Sequence, residues 1–128
     1  MESGEAAPPS AAEEQSLLLE ASNEMVRLYK QQFGRGPTKV RTDWAGPDAL
    51  ICTLRESFTP AERNLAEMGE IARVRDTRMF FQYAGEDEFV GAIEPLVGRK
   101  VVAFVSGVDA KRDISVEVFY FAPRDGAG

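Results

Sequence analysis

The sequence RKVVAFVSGVDAKRDISVEVFYF, residues 99–121, contains two β-rich runs on either side of a turn. The runs are Arg99–Ser106 and Asp113–Phe121, and the intervening Gly107–Arg112 contains glycine and aspartate, which favour turns. This pattern predicts a β-hairpin near the end of the chain.

The second run of this hairpin is apolar on both of its faces. Its side chains alternate, with Ile114, Val116, Val118 and Tyr120 on one face and Phe119 and Phe121 on the other. A single layer of helices buries only one face of a sheet. We therefore expect a second copy of the chain, or another partner, to cover the sheet face that the helices leave open. Trp44, Phe119 and Phe121 are expected to lie in this contact surface.

An earlier hairpin is predicted from Thr38–Trp44 and Ala49–Arg55, which alternate around a segment of turn formers at 45–48. A helix precedes it, because apolar residues recur at three- and four-residue steps from about Glu14 to Phe33. Gly34 follows this helix directly and is typical of a C-terminal cap rather than of a phosphate-binding loop.

A second helix begins at Thr59-Pro60-Ala61-Glu62, which has the spacing of a capping box with proline at the first helical position. An apolar stripe predicts that this helix continues to about residue 83 despite Gly69: Leu65, Met68, Ala72, Met79 and Tyr83. A shorter helix is expected from Glu86 to about Pro95, closed by Gly98.

These elements give the order α-β-β-α-α-β-β and predict an α+β fold. We expect a mainly antiparallel sheet of two hairpins, with helices packed on one face. The predicted organisation is a disordered acidic, Ala/Pro-rich tail over 1–13, a single domain over 14–123, and a frayed C-terminus over 124–128.

Composition restricts the function classes. The 128 residues carry a net charge of −6, four of the acids lie in the first 14 residues, and the rest carries about −2, which argues against nucleic-acid binding. Histidine is absent and Cys52 is the single cysteine, so counting excludes histidine-based relays, zinc clusters and an internal disulfide. We expect no catalytic residues, no metal and no cofactor. The single cysteine fits a reducing, intracellular location, and we expect a cytoplasmic protein that can be peripheral to the inner membrane through a partner. The longest apolar run, Val101–Val105, is too short to span a bilayer.

The basic residues are the candidate binding set. Seven of them could converge on an anion or an acidic partner: Arg35, Lys39, Arg41, Arg73, Arg75, Arg78 and Arg99. The alternative is scattered, solvated charges with one structural pair. Because Arg75 and Asp76 fall on the apolar stripe of the second helix, we expect Asp76 to form a buried structural ion pair, either with Arg75 or with a basic residue of the first hairpin or the third strand such as Arg41 or Arg99.

Three blocks in order, MVRLYKQQFGRGPTKVR, TPAERNLAEMGEIARVRDTRMFFQ and GRKVVAFVSGVDAKRDISVEVF, resemble the MpsC-like family of small bacterial domains. The resemblance covers residues 14–123, and the family is named after a sodium-translocating, membrane-potential-generating system. It implies association with a membrane complex that handles ions or bicarbonate.

Two hypotheses follow from these observations. The first is a non-enzymatic accessory or interaction domain, dimeric, that serves as a peripheral subunit or regulator of such a complex or of a signalling partner. The alternative is a sensory domain that binds a small anion through the arginine cluster.

Overall fold

The computed structural model describes residues 10–124, in which four helices pack on a four-stranded antiparallel sheet. The helices are α1 (Ala11–Phe33), α2 (Pro60–Glu67), α3 (Ile71–Ala84) and α4 (Glu86–Val97). The strands are β1 (Lys39–Trp44), β2 (Ala49–Arg55), β3 (Val101–Asp109) and β4 (Ile114–Phe121). The predicted α+β class is confirmed, with the element order α-β-β-α-α-α-β-β.

The sheet has the strand order β1-β2-β4-β3. Both predicted hairpins form, and antiparallel pairing of β2 with β4 joins them into one sheet. Ile51 lies opposite Val118, which lies opposite Val105 on the other side. The two hairpins therefore share one continuous surface instead of forming separate units.

Helix α1 begins earlier than the sequence predicted. Ser10 caps it, because its hydroxyl accepts from the backbone of Glu13 while the Glu13 carboxylate accepts from the backbone of Ser10. Residues 10–13 thus belong to the start of this helix and not to the tail, whose remaining part, 1–9, lies outside the described residues, as do 125–128. Gly34 ends α1 with φ of 80°, which confirms the predicted cap.

The single long helix predicted after Thr59 is wrong, because the chain forms two helices there. Gly69 adopts φ of +85°, a backbone conformation that L side chains rarely adopt, and it separates α2 from α3. The capping box of Thr59 and Glu62 is confirmed. Helix α4 contains Pro95 in its last turn and ends at Gly98.

This break also changes which face of α3 is buried. Val74, Arg78 and Gln82, spaced four residues apart, point into the protein. On the predicted stripe, Met68 is 74% exposed and Tyr83 is also largely exposed. The predicted stripe is wrong because the helix ends at a glycine with positive φ, so the helical period of α2 does not continue into α3.

The main core lies between one face of the sheet and helices α1 and α4. Its buried side chains include Met25, Tyr29, Leu50, Leu54, Phe89, Ile93, Phe104, Phe119 and Phe121. Trp44 packs against Phe121, with ring centroids 5.9 Å apart. The prediction that Phe119 and Phe121 form a contact surface is therefore wrong, because the helices cover the face of β4 on which these two rings lie.

Candidate functional site

The outward face of the sheet is a surface that the helices leave uncovered, and we call it the open face. Five of its side chains come from the three strands β2, β3 and β4: Ile51, Val105, Val116, Val118 and Tyr120. None of them belongs to either hydrophobic cluster of the described protein. Val105 is 46% exposed and Tyr120 is exposed to a similar extent. These five positions thus present apolar and mostly β-branched groups outward, and Thr53 and Arg55 follow Ile51 on the same face of β2.

Charged residues border the open face along the edge strand β1. Lys39, Arg41 and Asp43 alternate with the inward Val40 and Thr42, so their side chains share the outward face. The guanidinium Nε of Arg41 lies 2.9 Å from the carboxylate of Asp43, and both side chains are exposed. An apolar centre with a charged border is the arrangement found in protein–protein interfaces.

The predicted arginine set does not converge on one site. Arg78 is 0% exposed and donates two hydrogen bonds to Glu62, at 2.6 and 2.7 Å, and two more to Ser57. Its guanidinium also lies over the rings of Phe33 and Phe58, at 3.7 and 4.9 Å from their centroids. Arg78 therefore joins α1, α2 and α3, and its guanidinium is buried and not accessible to a ligand.

Arg35 and Arg99 also make structural contacts. Arg35 donates to the carbonyl oxygens of Glu56 and Phe58, beside the segment that Arg78 holds. Arg99 lies at a different place, where it bonds Asp48 and the carbonyl oxygens of Pro47 and Ala122 and so ties the β1–β2 turn to the end of β4.

The other four predicted binding residues are exposed and paired with a neighbouring carboxylate. The pairs are Lys39–Glu56, Arg41–Asp43, Arg73–Glu70 and Arg75–Asp76. The predicted buried pair of Asp76 and Arg75 is wrong, because both side chains are on the surface and their closest atoms are 3.4 Å apart. The buried ion pair of this region is Arg78–Glu62.

A buried polar cluster lies under β4 on the helix side, and we call it the Glu117 cluster. It contains Tyr29, Gln82, Ser106, Ser115 and Glu117, none of which the sequence analysis selected. The Tyr29 hydroxyl donates to Oε2 of Glu117 at 2.5 Å. Gln82 Nε2 donates to the Ser106 hydroxyl at 2.6 Å and to the same Glu117 oxygen at 3.3 Å.

Burial determines the protonation of this cluster. It raises the pKa of Glu117 to about 8, and the polar side chains of Ser106, Tyr29 and Gln82 limit the rise. Burial also raises the pKa of Tyr29 well above its ordinary value and that of Cys52 to about 12. The only signal of this cluster in the sequence was spacing: Glu117, Phe119 and Phe121 are two residues apart and therefore lie on one face of β4.

Comparison with known families identifies the chain's relatives. The family model MpsC, described as a Na+-translocating membrane potential-generating system, matches residues 13–123. The chain belongs to the MpsC family. This confirms the resemblance stated above and associates the chain with a membrane-potential-generating system. No curated protein and no solved structure matches the chain.

Two properties of this MpsC domain bear on how it takes part in such a system. Of the helices that the structure describes, none has the length and apolar character needed to cross a membrane. Within residues 10–124, no group of three or more Cys, Asp or Glu side chains is arranged to hold a metal ion. The open face and the Glu117 cluster are two features of the described domain that its core packing does not explain.

Proposed function

We propose that the chain is a cytoplasmic, non-enzymatic accessory subunit of a membrane-potential-generating system, and that it assembles through the open face. Membership of the MpsC family supports the association with such a system. The observation that carries the proposal is the apolar row Ile51–Val118–Val105, which crosses three strands without a helix over it.

The chemistry of this row is unusual for an exposed sheet face. An antiparallel sheet with one solvated face normally alternates apolar residues inward with polar residues outward. On β4 the outward positions are instead occupied by Val116, Val118 and Tyr120, while the inward set includes the polar Ser115 and Glu117. Contiguous apolar surface bordered by charges is typical of a protein interaction site.

A second copy of the chain is the occupant that we propose for the open face. Arg41 and Asp43 lie two residues apart on the outward side of β1. In the proposed dimer the open faces of two subunits pack against each other. The two-fold axis lies between the two sheets and runs perpendicular to their strands, so it places each Arg41 opposite Asp43 of the partner subunit. The same axis sets Val118 against Val116 of the partner subunit, so apolar and charged groups both meet their complement.

The size of the open face sets the expected affinity. Strands are spaced about 4.8 Å apart and rise about 3.3 Å per residue, so four strands of seven residues project an area of about 20 by 23 Å. This projected area is smaller than the accessible surface of about 800 Å² that each partner buries in a stable complex. We therefore expect a weak homodimer that dissociates in the micromolar range.

Sedimentation velocity over a wide concentration range tests this proposal. Val105→Glu places a charge in the open face at a position that is already 46% exposed, and it should shift the protein to monomer without loss of helical signal. Leu19→Glu is the matched control, because Leu19 is 62% exposed on α1, on the opposite side of the sheet. A wild type that stays monomeric at every concentration would contradict the homodimer.

A charge exchange tests the occupant more specifically. Arg41→Asp should weaken the dimer by placing two carboxylates opposite each other, and the double variant Arg41→Asp with Asp43→Arg should restore it. Restoration is the result expected if the two positions meet across a two-fold axis. If the double variant is as weak as the single one, the partner is not arranged in this way.

A further inference from the structure

The Glu117 cluster holds a carboxyl group in an environment with no compensating positive charge. Glu117 is fully buried, and among residues 10–124 it forms no salt bridge. Arg78, on the inward side of α3 with Gln82, directs its guanidinium to Glu62 and Ser57 instead. An ionised carboxylate that is buried without a partner costs several kcal/mol.

The other elements packed around Glu117 contribute no charge that would stabilise a carboxylate. Tyr29 on α1 and Cys52 on β2 both have raised pKa values and are neutral at neutral pH. Ser106 on β3 and Gln82 on α3 are polar but do not ionise. Among the described residues, Arg78 is the positively charged group that acts on Tyr29 of the cluster, and Glu62 balances its charge.

Three buried oxygen atoms of the cluster have no hydrogen-bond partner among the described residues, namely Oε1 of Gln82, Oγ of Ser115 and Oε1 of Glu117. The Ser115 hydroxyl can donate as well as accept. An amide oxygen can only accept, and an ionised carboxylate oxygen can also only accept. A proton on Glu117 would convert its unpartnered oxygen from an acceptor into a donor.

We propose that the Glu117 cluster is an internal proton-binding site, in which Glu117 carries a proton on Oε1 in the folded protein at neutral pH. The second oxygen, Oε2, keeps the hydrogen bond from Tyr29. Raising the pH removes this proton as the carboxylic acid ionises to the carboxylate, and lowering the pH returns it. The ligand of the site is the proton itself, and no metal or co-reactant is required.

Proton release from this site destabilises the folded state. The pKa of Glu117 is about 8 in the folded protein and close to the ordinary 4.5 when the chain is unfolded, so the folded state binds more protons between these values. The stability that the proton supplies is fully present below the unfolded pKa and is lost as the pH rises through the folded pKa. Val116 and Val118 flank Glu117 on β4, so the proton site and the open face share a strand.

NMR of the full chain with labelled glutamate carboxyl carbons tests the proposal directly. One glutamate carboxyl should titrate near pH 8, and this signal should be absent in Glu117→Gln and retained in the exposed control Glu88→Gln. Tyr29→Phe should move the titration to higher pH, because it removes a hydrogen bond that favours the carboxylate. Spectra in which every glutamate titrates near its ordinary pKa would overturn the proposal.

Denaturation in sodium chloride and in choline chloride separates a proton from a metal cation. At alkaline pH the proposal predicts equal wild-type stability in the two salts at equal ionic strength. A stabilisation specific to sodium that Glu117→Gln abolishes would show that the cluster binds the cation, and would overturn the assignment to a proton. If Glu117→Gln does not fold, the wild-type titration still decides between a neutral and an ionised Glu117.

Discussion

Replacing Arg78 with alanine should destabilise the protein by about 3–5 kcal/mol, the typical cost of breaking a buried ion pair. The variant loses four hydrogen bonds and the contacts of the guanidinium with Phe33 and Phe58. It also leaves the Glu62 carboxylate, 17% exposed, without its main partner. Urea denaturation followed by circular dichroism measures the loss in free energy of unfolding.

The same helix provides matched controls. Arg75→Ala and Asp76→Ala remove exposed charges on α3 and should each change stability by less than about 1 kcal/mol. Arg78→Lys keeps the charge but not the two parallel hydrogen bonds to Glu62, so it should recover only part of the loss. A loss below about 1 kcal/mol for Arg78→Ala would refute the conclusion that this side chain holds α1, α2 and α3 together.

The pH dependence of this loss is a second test. Burial raises the pKa of Glu62, but its bonds with Arg78 and with Thr59 outweigh burial, so the net shift is downward. A group with a lowered pKa stabilises the fold above its unfolded pKa and loses that contribution as the pH falls through its folded pKa. The difference between wild type and Arg78→Ala should therefore shrink in acid.

Three further substitutions test the local structure. Ser10→Ala should cost about 1 kcal/mol in urea denaturation by removing the cap of α1, and no effect would mean that this capping box does not form in solution. Gly69→Ala should cost about 1 kcal/mol because of its positive φ, whereas Gly91→Ala inside α4 should be neutral or stabilising; equal effects would contradict the assigned break between α2 and α3. Arg99→Ala should cost about 2 kcal/mol by removing bonds to two carbonyl groups and Asp48, and a thermal midpoint like that of wild type would refute this.

Local signals predicted some of the helix ends correctly. The cap at Gly34 and the capping box of Thr59 and Glu62 depend only on residues within one turn, so the sequence contains all the information needed. Both hairpins were predicted for the same reason. The break at Gly69 was missed because the apolar stripe was drawn across the glycine, although the signal is local: Gly69 has a positive φ, and its N–H and that of Glu70 bond the carbonyl oxygens of Ala66 and Leu65 at the end of α2.

The choice of the buried face of β4 could not be predicted from periodicity. Both faces of this strand are apolar, and Glu117 lies on the face with Phe119 and Phe121, where a charged residue would normally indicate solvent. The helices cover this face because the rings of Phe104, Phe119 and Phe89 pack there. Tyr29, 88 residues from Glu117 in sequence, provides the hydrogen bond that makes the buried position tolerable, and no local pattern shows that contact.

The same limit applies to the ion pairs of α3. Arg73, Arg75, Asp76 and Arg78 are close in sequence, and only the packing of α2 against α3 decides which one is buried. Arg78 is the buried residue because its guanidinium can hydrogen-bond Glu62 and Ser57 there. The density of charged residues in the sequence therefore located the region of the buried ion pair but not the arginine that forms it.

The most direct measurement of the central claim is a dilution series of backbone NMR spectra of the wild-type chain. If a second copy covers the open face, the amide signals around Ile51, Val105 and Val118 should shift with concentration. Signals around Leu19 on α1 should stay fixed. Signals that are constant at every position, or shifts confined to the helical side, would contradict the claim that the chain assembles through the open face of its sheet.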